Sequence, residues 1–357
     1  MWSIISDRRY LFSGALVLTI WLAGPGRILV AQTSGPNREF MKALTTAFMG
    51  ADASVKRRII SALKDVGEQA VPILTDALDD PSQDVRRDAA IVLGNIGKPA
   101  QSAITHLLRK LADPSETVQQ KAVTAIGQIG DGQEAADRLV PLLRDSSSSI
   151  RKETARALGR IGIFSPQIAT ALVTGLGDDK RDVRRESERA LARLGPSAIP
   201  HLEMLLSSAS ESTAPTLLRA IGNIGPEAIP LLVEALSHPV SGVRREAADA
   251  LGDLRAGTPE VIAALISALT DSSESVRMEA VDSLGDAKVK SDDLPKALEI
   301  ALRDPSDDVR KRTVEALGEI QVPSHTVVPL LVEALGDADQ DVRDEAADVL
   351  KRLGAPK

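Results

Sequence analysis

Cysteine is absent from this 357-residue chain. That excludes disulfides, thiolate metal sites, cysteine catalysis and a lipidated N-terminal cysteine, and it is neutral on redox compartment. Aromatic residues make up only 2%. Trp2, Tyr10 and Trp21 all precede residue 31, so Phe40, Phe48 and Phe164 are the aromatic residues of everything that follows. Too few rings remain for a surface that stacks bases. Histidine is scarce too: His106, His201, His238 and His325 are widely separated, and none begins a His-x-x-x-His or His-Glu-x-x-His pair. Nor is there an excess of positive charge. The net charge is −7, and −9 without residues 1–31, which carry Arg8, Arg9 and Arg27 against Asp7. A phosphate-binding surface needs the opposite balance, so nucleic acid is not an expected partner. No nucleophile–base pair, glycine-rich phosphate loop or carboxylate dyad stands out, and no catalytic, cofactor-binding or metal-binding residue is expected.

What is present is a repeat. The segment "DPSQDVRRDAAIVLGNIG" (80–97) returns as "DSSSSIRKETARALGRIG" (145–162), "DSSESVRMEAVDSLG" (271–285) and "DPSDDVRKRTVEALGEI" (304–320). One slot in it falls at Val55, Val85, Val118, Ile150, Val183, Thr213, Val243, Val276, Val309 and Val342, at spacings of 30 to 33 residues. A period of that size means a solenoid whose units bury their apolar faces only against their neighbours. It also overrides the length prior of two or three separate domains.

Residues 1–31 read as a separate object. The basic pair Arg8-Arg9 precedes an apolar run from Leu11 to Ala23, then Gly24-Pro25-Gly26 and the small residue Ala31 before Gln32. This is the order of an export signal, with an uncleaved membrane anchor over 11–23 as the alternative. An apolar run this short falls under the roughly 20 residues that span a bilayer. The expected organisation is therefore a signal or anchor (1–31) and a solenoid (32–357). Residues 33–67, with Phe40, Met41, Phe48 and Met49, are expected to cap its open end.

Residues 225–252 show how one unit works. "GPEAIPLLVEALSHP" places Ile229, Leu232, Ala235 and Leu236 at helical spacing, with Pro230 tolerable in the first turn. "SGVRREAADALGDL" places Val243, Ala247, Ala250, Leu251 and Leu254 on one face of a second helix, with Ser241 as the expected N-cap. Glycines late in the second helices (Gly94, Gly127, Gly159, Gly222, Gly252, Gly285, Gly318) suggest close helix packing or termination. Asp stands five residues before the slot at Asp80, Asp113, Asp145, Asp178, Asp271, Asp304 and Asp337. A base follows the slot at Lys56, Arg86, Arg151, Arg184, Arg244, Arg277, Arg310 and Arg343. These can pair as an Asp–Arg ladder between adjacent units. If exposed, each pair contributes about 0–1 kcal/mol, which fixes register more than it stabilises.

A two-helix unit with a turn Asp, a following Val-Arg and a terminal Leu-Gly-x-Ile-Gly resembles the HEAT repeat, in the short bacterial form named after phycobilisome lyases. The resemblance covers roughly residues 40–354. It implies an all-α, right-handed α-solenoid of about ten two-helix units. HEAT-like hydroxylases hold iron with His-Glu dipeptides, and no His here precedes Glu. HEAT-like DNA glycosylases use a basic, aromatic-bearing concave face, which this chain lacks. A phycobilin lyase's cytoplasmic task fits poorly with an export signal.

The expected function is an exported, periplasmic or outward-facing scaffold, without enzyme activity, that binds another protein along a concave face lined by the second helices. Candidate contacts are the bases two places after the slot: Arg87, Lys152, Arg185, Arg245 and Lys311. The alternative is an enzyme or enzyme subunit of the HEAT-like lyase or hydroxylase kind, which stoichiometric iron in the purified protein would reveal. The sixth unit departs most from the pattern. It has Ser208 for Asp, Thr213 for Val and Ala214 for Arg, then Pro215 where a helix is expected to be running. A local bend or contact loop around 207–216 is the functional reading, and drift in a tolerant repeat is the other.

Overall fold

The structure is a computed structural model describing residues 38–354 apart from 131, 287–293 and 321–322. The expected export signal, with Trp2, Tyr10 and Trp21, lies outside the described residues, as does the start of the expected cap. Among the described residues there are helices and no strands. They form two compact units, divided after Ile163.

The first unit comprises α1 (Arg38–Met49), α2 (Ala53–Leu63), α3 (Val71–Ala77), α4 (Gln83–Ile96), α5 (Ile104–Arg109), α6 (Glu116–Ile129), α7 (Gly132–Leu139) and α8 (Ser148–Ile161). The second comprises α9 (Pro166–Gly175), α10 (Arg181–Ala192), α11 (Ile199–Ser207), α12 (Ala214–Gly222), α13 (Ile229–Ala235), α14 (Ser241–Asp253), α15 (Pro259–Ala268), α16 (Glu274–Asp286), α17 (Leu294–Ala301), α18 (Asp307–Glu319), α19 (Ser324–Ala334) and α20 (Gln340–Gly354). Odd-numbered helices are the first of each pair and even-numbered helices the second. Second helices pack side by side, α2 on α4, α4 on α6 and α6 on α8 in the first unit, and α10 through α20 in order in the second. Each first helix from α3 to α19, in α7's case with the 3-10 turn Val140–Arg144 that follows it, packs on its own second helix. This is the all-α solenoid that the repeat period implies.

The core is the slot residue and the Ala and Leu positions that follow it. Val85, Val118, Val243, Val276 and Val309 are fully buried, as are Ala89, Ala122, Ala247 and Ala280. The late glycines sit where one second helix crosses the next. A Cβ on Gly127 would lie 2.6 Å from Ala157 Cα, and one on Gly94 would lie 2.9 Å from Ala125 Cα. Gly252 meets Ser283, Gly285 meets Ala316, and Gly222 meets Ala250 in the same way. In each pair the partner stands two residues before its own repeat's glycine, so the Ala-Leu-Gly run is one contact copied along the stack.

Three details differ from the sequence reading. Ser241 lies inside α14, and the N-cap is the extended residue Val240, whose N–H is held by His238 Nδ1 at 3.1 Å. Met49, expected to help cover the open end, is 64% exposed, whereas Leu44 and Phe48 are buried. Pro215 does not interrupt a helix. α12 begins at Ala214, so the proline occupies the first turn, where it removes no helical hydrogen bond, and the helix is simply shorter than its neighbours.

Candidate partner-binding surface

The turn between helices is built the same way in most repeats. An Asp carboxylate accepts the N–H two residues on, as Asp80 does from Ser82 (2.9 Å), Asp145 from Ser147 (2.7 Å) and Asp304 from Ser306 (2.9 Å). This Asx-type bond closes the turn and starts the second helix. The arginine after the slot donates Nη1 to the carbonyl of its own repeat's Asp: Arg86 to Asp80, Arg151 to Asp145, Arg184 to Asp178, Arg310 to Asp304 and Arg343 to Asp337, all at 2.7–2.9 Å. Its other edge, Nε and Nη2, reaches the next repeat. Arg86 grips Asp113, Arg244 grips Asp271, Arg277 grips Asp304 and Arg310 grips Asp337, each through two bonds of 2.6–2.9 Å. Lys56 reaches Asp80 with one bond of 2.7 Å.

These rungs are not the exposed pairs that the 0–1 kcal/mol figure supposes. The Arg86 and Asp113 side chains are only 11% and 2% exposed. Burial pushes the Asp113 carboxyl up, but the Arg86 guanidinium and the Ser115 N–H outweigh it and hold it below the usual carboxylate value. Asp271 and Asp337 are lowered by Arg244 and Arg310 respectively. A buried, bidentate pair is costly to break even where its net contribution is small.

The five candidate contact bases differ in how far neighbouring acids engage them. Arg87 is bound by Asp84 and Asp88, both at 2.7 Å. Arg245 is bound by Glu246 (3.2 Å) and Glu279 (3.3 Å), and Lys311 lies 3.8 Å from Asp341. Lys152 is half-buried on α8. Arg185 alone of the five is exposed, and among the described residues it makes no hydrogen bond or ion pair. Of these bases, expected to be exposed, Arg87, Arg245 and Lys311 are half-buried and lie beside acids of their own or the next repeat.

A different set of residues covers the outer face of the second helices. Six and ten places after the slot, about one turn apart, α10 carries Arg189 with Arg193 at its C-cap, and α12 carries Arg219 with Asn223 at its C-cap. α14 then carries Asp249 and Asp253, α16 Asp282 and Asp286, and α18 Glu315 and Glu319. All are exposed or half-buried. The ridge of the second unit is thus sorted by charge, basic on α10 and α12 and acidic on α14 to α18. Beside it Glu246, 1% exposed, accepts from Arg219 Nε and Nη2 at 2.6 and 2.8 Å. The acids crowd one another. Burial, then Asp249, pushes the Glu279 carboxyl up to about 7 against the opposing pull of Arg245. Burial and Glu246 raise Asp249. Burial also raises Asp282, aided by Glu315, Asp286 and Glu319 against Arg312. The signal was present in the sequence, but only when single positions are read down the repeats rather than along one helix.

The HEAT repeats family matches residues 41–110, 104–192, 199–285 and 294–357. The chain belongs to the HEAT-repeat family. No curated protein sequence matches it. Among solved structures it is similar to the karyopherin Kap121p bound to the extreme C-terminus of the protein phosphatase Cdc14p (14% identity, 87% of this chain and 41% of that one, TM-score 0.59). It is likewise similar to Kap121p bound to Nup53p (13%, 88% and 41%, TM-score 0.59) and to Kap95p with RanGDP (14%, 88% and 50%, TM-score 0.52). At these identities the likeness shows the HEAT solenoid fold alone, and the chain spans about two fifths to a half of the length of these karyopherins.

Proposed function

We propose that this chain is an exported, non-enzymatic scaffold that holds another protein along its row of second helices. Across α14, α16 and α18 the partner presents lysine or arginine side chains. The observation that carries this is the charge-sorted ridge. A solenoid needs its slot, Ala, Leu, Gly, Asp and Arg positions for stacking, but nothing in stacking requires six carboxylates in register on three successive helices. Burial first, and then neighbouring acids, raise the Glu279, Asp249 and Asp282 carboxyls, so carboxylates held here cost stability. A cationic partner relieves that cost and is steered to the site by it. Export is supported by the signal-like order of residues 1–31. The karyopherin complexes give precedent for a HEAT solenoid occupied by a protein.

The test is affinity capture from the envelope fraction with the native chain and with an Asp249→Lys, Asp282→Lys, Glu315→Lys variant. The native protein is expected to begin at Gln32 and to retain a partner that elutes as salt rises. The variant is expected to retain none of it. A partner held equally by both proteins overturns the reading.

A further inference from the structure

Between two described repeats, Arg184 is a ladder arginine whose grip is prepared and, among the described residues, holds no carboxylate; Arg343, anchored the same way, belongs to the last repeat. Arg184 donates Nη1 to Asp178 O (2.7 Å) and Asp179 O (3.2 Å), the same anchoring that aims Arg86, Arg244, Arg277 and Arg310 at the next repeat's Asp. Where that Asp belongs, the chain has Ser208. The register is not in doubt, because Ser208 lies 24 residues after Arg184, the separation at which Lys56 reaches Asp80. Ser208 is exposed, and its hydroxyl donates back to Leu205 O at 3.2 Å. Among the described residues, no carboxylate meets the Nε/Nη2 edge of Arg184. The surroundings reinforce this. Arg181 and Arg185 are exposed on the same turns of α10 and have no ion-pair partner among the described residues. The facing turn offers the exposed hydroxyls of Ser207, Ser210 and Ser212. Thr213 packs that turn onto the one before it, its Cγ2 lying 3.9 Å from where a Cβ on Gly177 would be.

We propose that Arg184 is a binding site for a carboxylate supplied by the partner protein, an Asp or Glu side chain seated where the other repeats seat their own Asp. The inference rests on the reading that the partner is a protein, and it goes beyond the acidic ridge by assigning the opposite charge to a second point of contact. Four rungs of this molecule show what the site takes. Each holds a carboxylate through two bonds of 2.6–2.9 Å to an arginine anchored in the same way. A guanidinium fixed by its own turn loses little freedom on binding, which favours a bidentate partner over a diffuse anion.

The probe is the peptide acetyl-Asp-Pro-Ser-Asp-Asp-amide, the turn sequence of residues 304–308 that Arg277 grips. It is titrated into the full chain while the arginine Nε resonances are followed by NMR. The Arg184 signal is expected to shift and saturate, and the Asn-for-Asp peptide should bind about tenfold more weakly. Arg184→Gln should abolish the response without unfolding the chain, because Gln119 fills the same slot in the third repeat and keeps the turn bond at 2.6 Å. Ser208→Asp should abolish it as well, by supplying the carboxylate from within, and should raise the melting temperature. An unmoved Arg184 signal, or a peptide response that survives Ser208→Asp, overturns the proposal. So does inorganic phosphate saturating the site at a tenfold lower concentration than the peptide. A partner captured equally by the native chain and by Arg184→Gln defeats this site and leaves the scaffold reading standing.

Discussion

At the scale of single residues, the glycines of the second helices show how little room the stack allows. Gly127 lies so close to Ala157 that an added methyl would overlap its Cα, which is backbone and cannot swing away. Gly127→Ala should therefore push α6 from α8 and destabilise the protein by about 1–3 kcal/mol, although alanine is the better helix former. Chemical denaturation reads this directly. A gain in stability would mean that the contact yields. A motif such as Ala-Leu-Gly reports that something small is needed, but only the crossing of two helices says why. The histidine in the seventh repeat is a similar case. His238 replaces Asp yet keeps the turn, because its Nδ1 accepts the Val240 N–H and its carbonyl still receives Arg244. The substitution looks like a break in the pattern, but the chemistry of the position is conserved.

At the scale of helices and turns, the ladder is the joint between units. Arg86, Arg244, Arg277 and Arg310 each tie the turn of their own repeat to the turn of the next, so one side chain sets both the start of a helix and its distance from its neighbour. Asp113→Ala removes the two bonds to Arg86 and the one to Ser115 N–H, and leaves a largely buried guanidinium without its counterion. The expected loss is about 2–3 kcal/mol, seen as a lower denaturation midpoint. A loss under about 0.5 kcal/mol would return the rung to the class of exposed pairs. The two-helix unit, the slot and the pairing of Asp with Arg between repeats were all legible in the spacing. The burial was not, since a period in sequence does not reveal how closely adjacent turns approach. Nor was the shortened α12, because Pro215 read along the sequence looks like an interruption, while in the structure it opens the helix.

At the scale of the whole molecule, the net charge of −7 conceals an uneven distribution. The acids of the second unit's ridge come from different repeats and repel across the stack, so pH acts on packing between repeats. Beside the ridge, Glu279 is the sharpest case, raised first by its own burial and then by Asp249. Its carboxyl is raised to about 7 in the fold against an ordinary 4.5. The folded chain therefore holds that proton more tightly than the unfolded chain does. The associated stability is fully present below about pH 4.5 and is lost as pH rises through about 7. The melting temperature of the native protein should fall across that window, and Glu279→Gln, neutral throughout, should flatten the fall. Parallel curves for the two proteins would show that the ridge carries no such strain.

The sequence by itself determined the HEAT solenoid, its ten units and the stacking role of the recurring Asp, Arg and Gly. Those positions repeat because each unit meets the next in the same way, and a repeated contact leaves a repeated residue. Only the tertiary structure decided which charges are available. An arginine is spent or free according to what stands one repeat away, a separation in sequence that becomes a few ångströms across the stack. By that measure Arg245 and Lys311 lie beside Glu279 and Asp341 of the next repeat, while Arg87 is held by Asp84 and Asp88 on its own helix. Asp249, Asp282 and Glu315 line up on one ridge, and among the described residues Arg184 keeps an edge with no carboxylate, a serine standing 24 residues on.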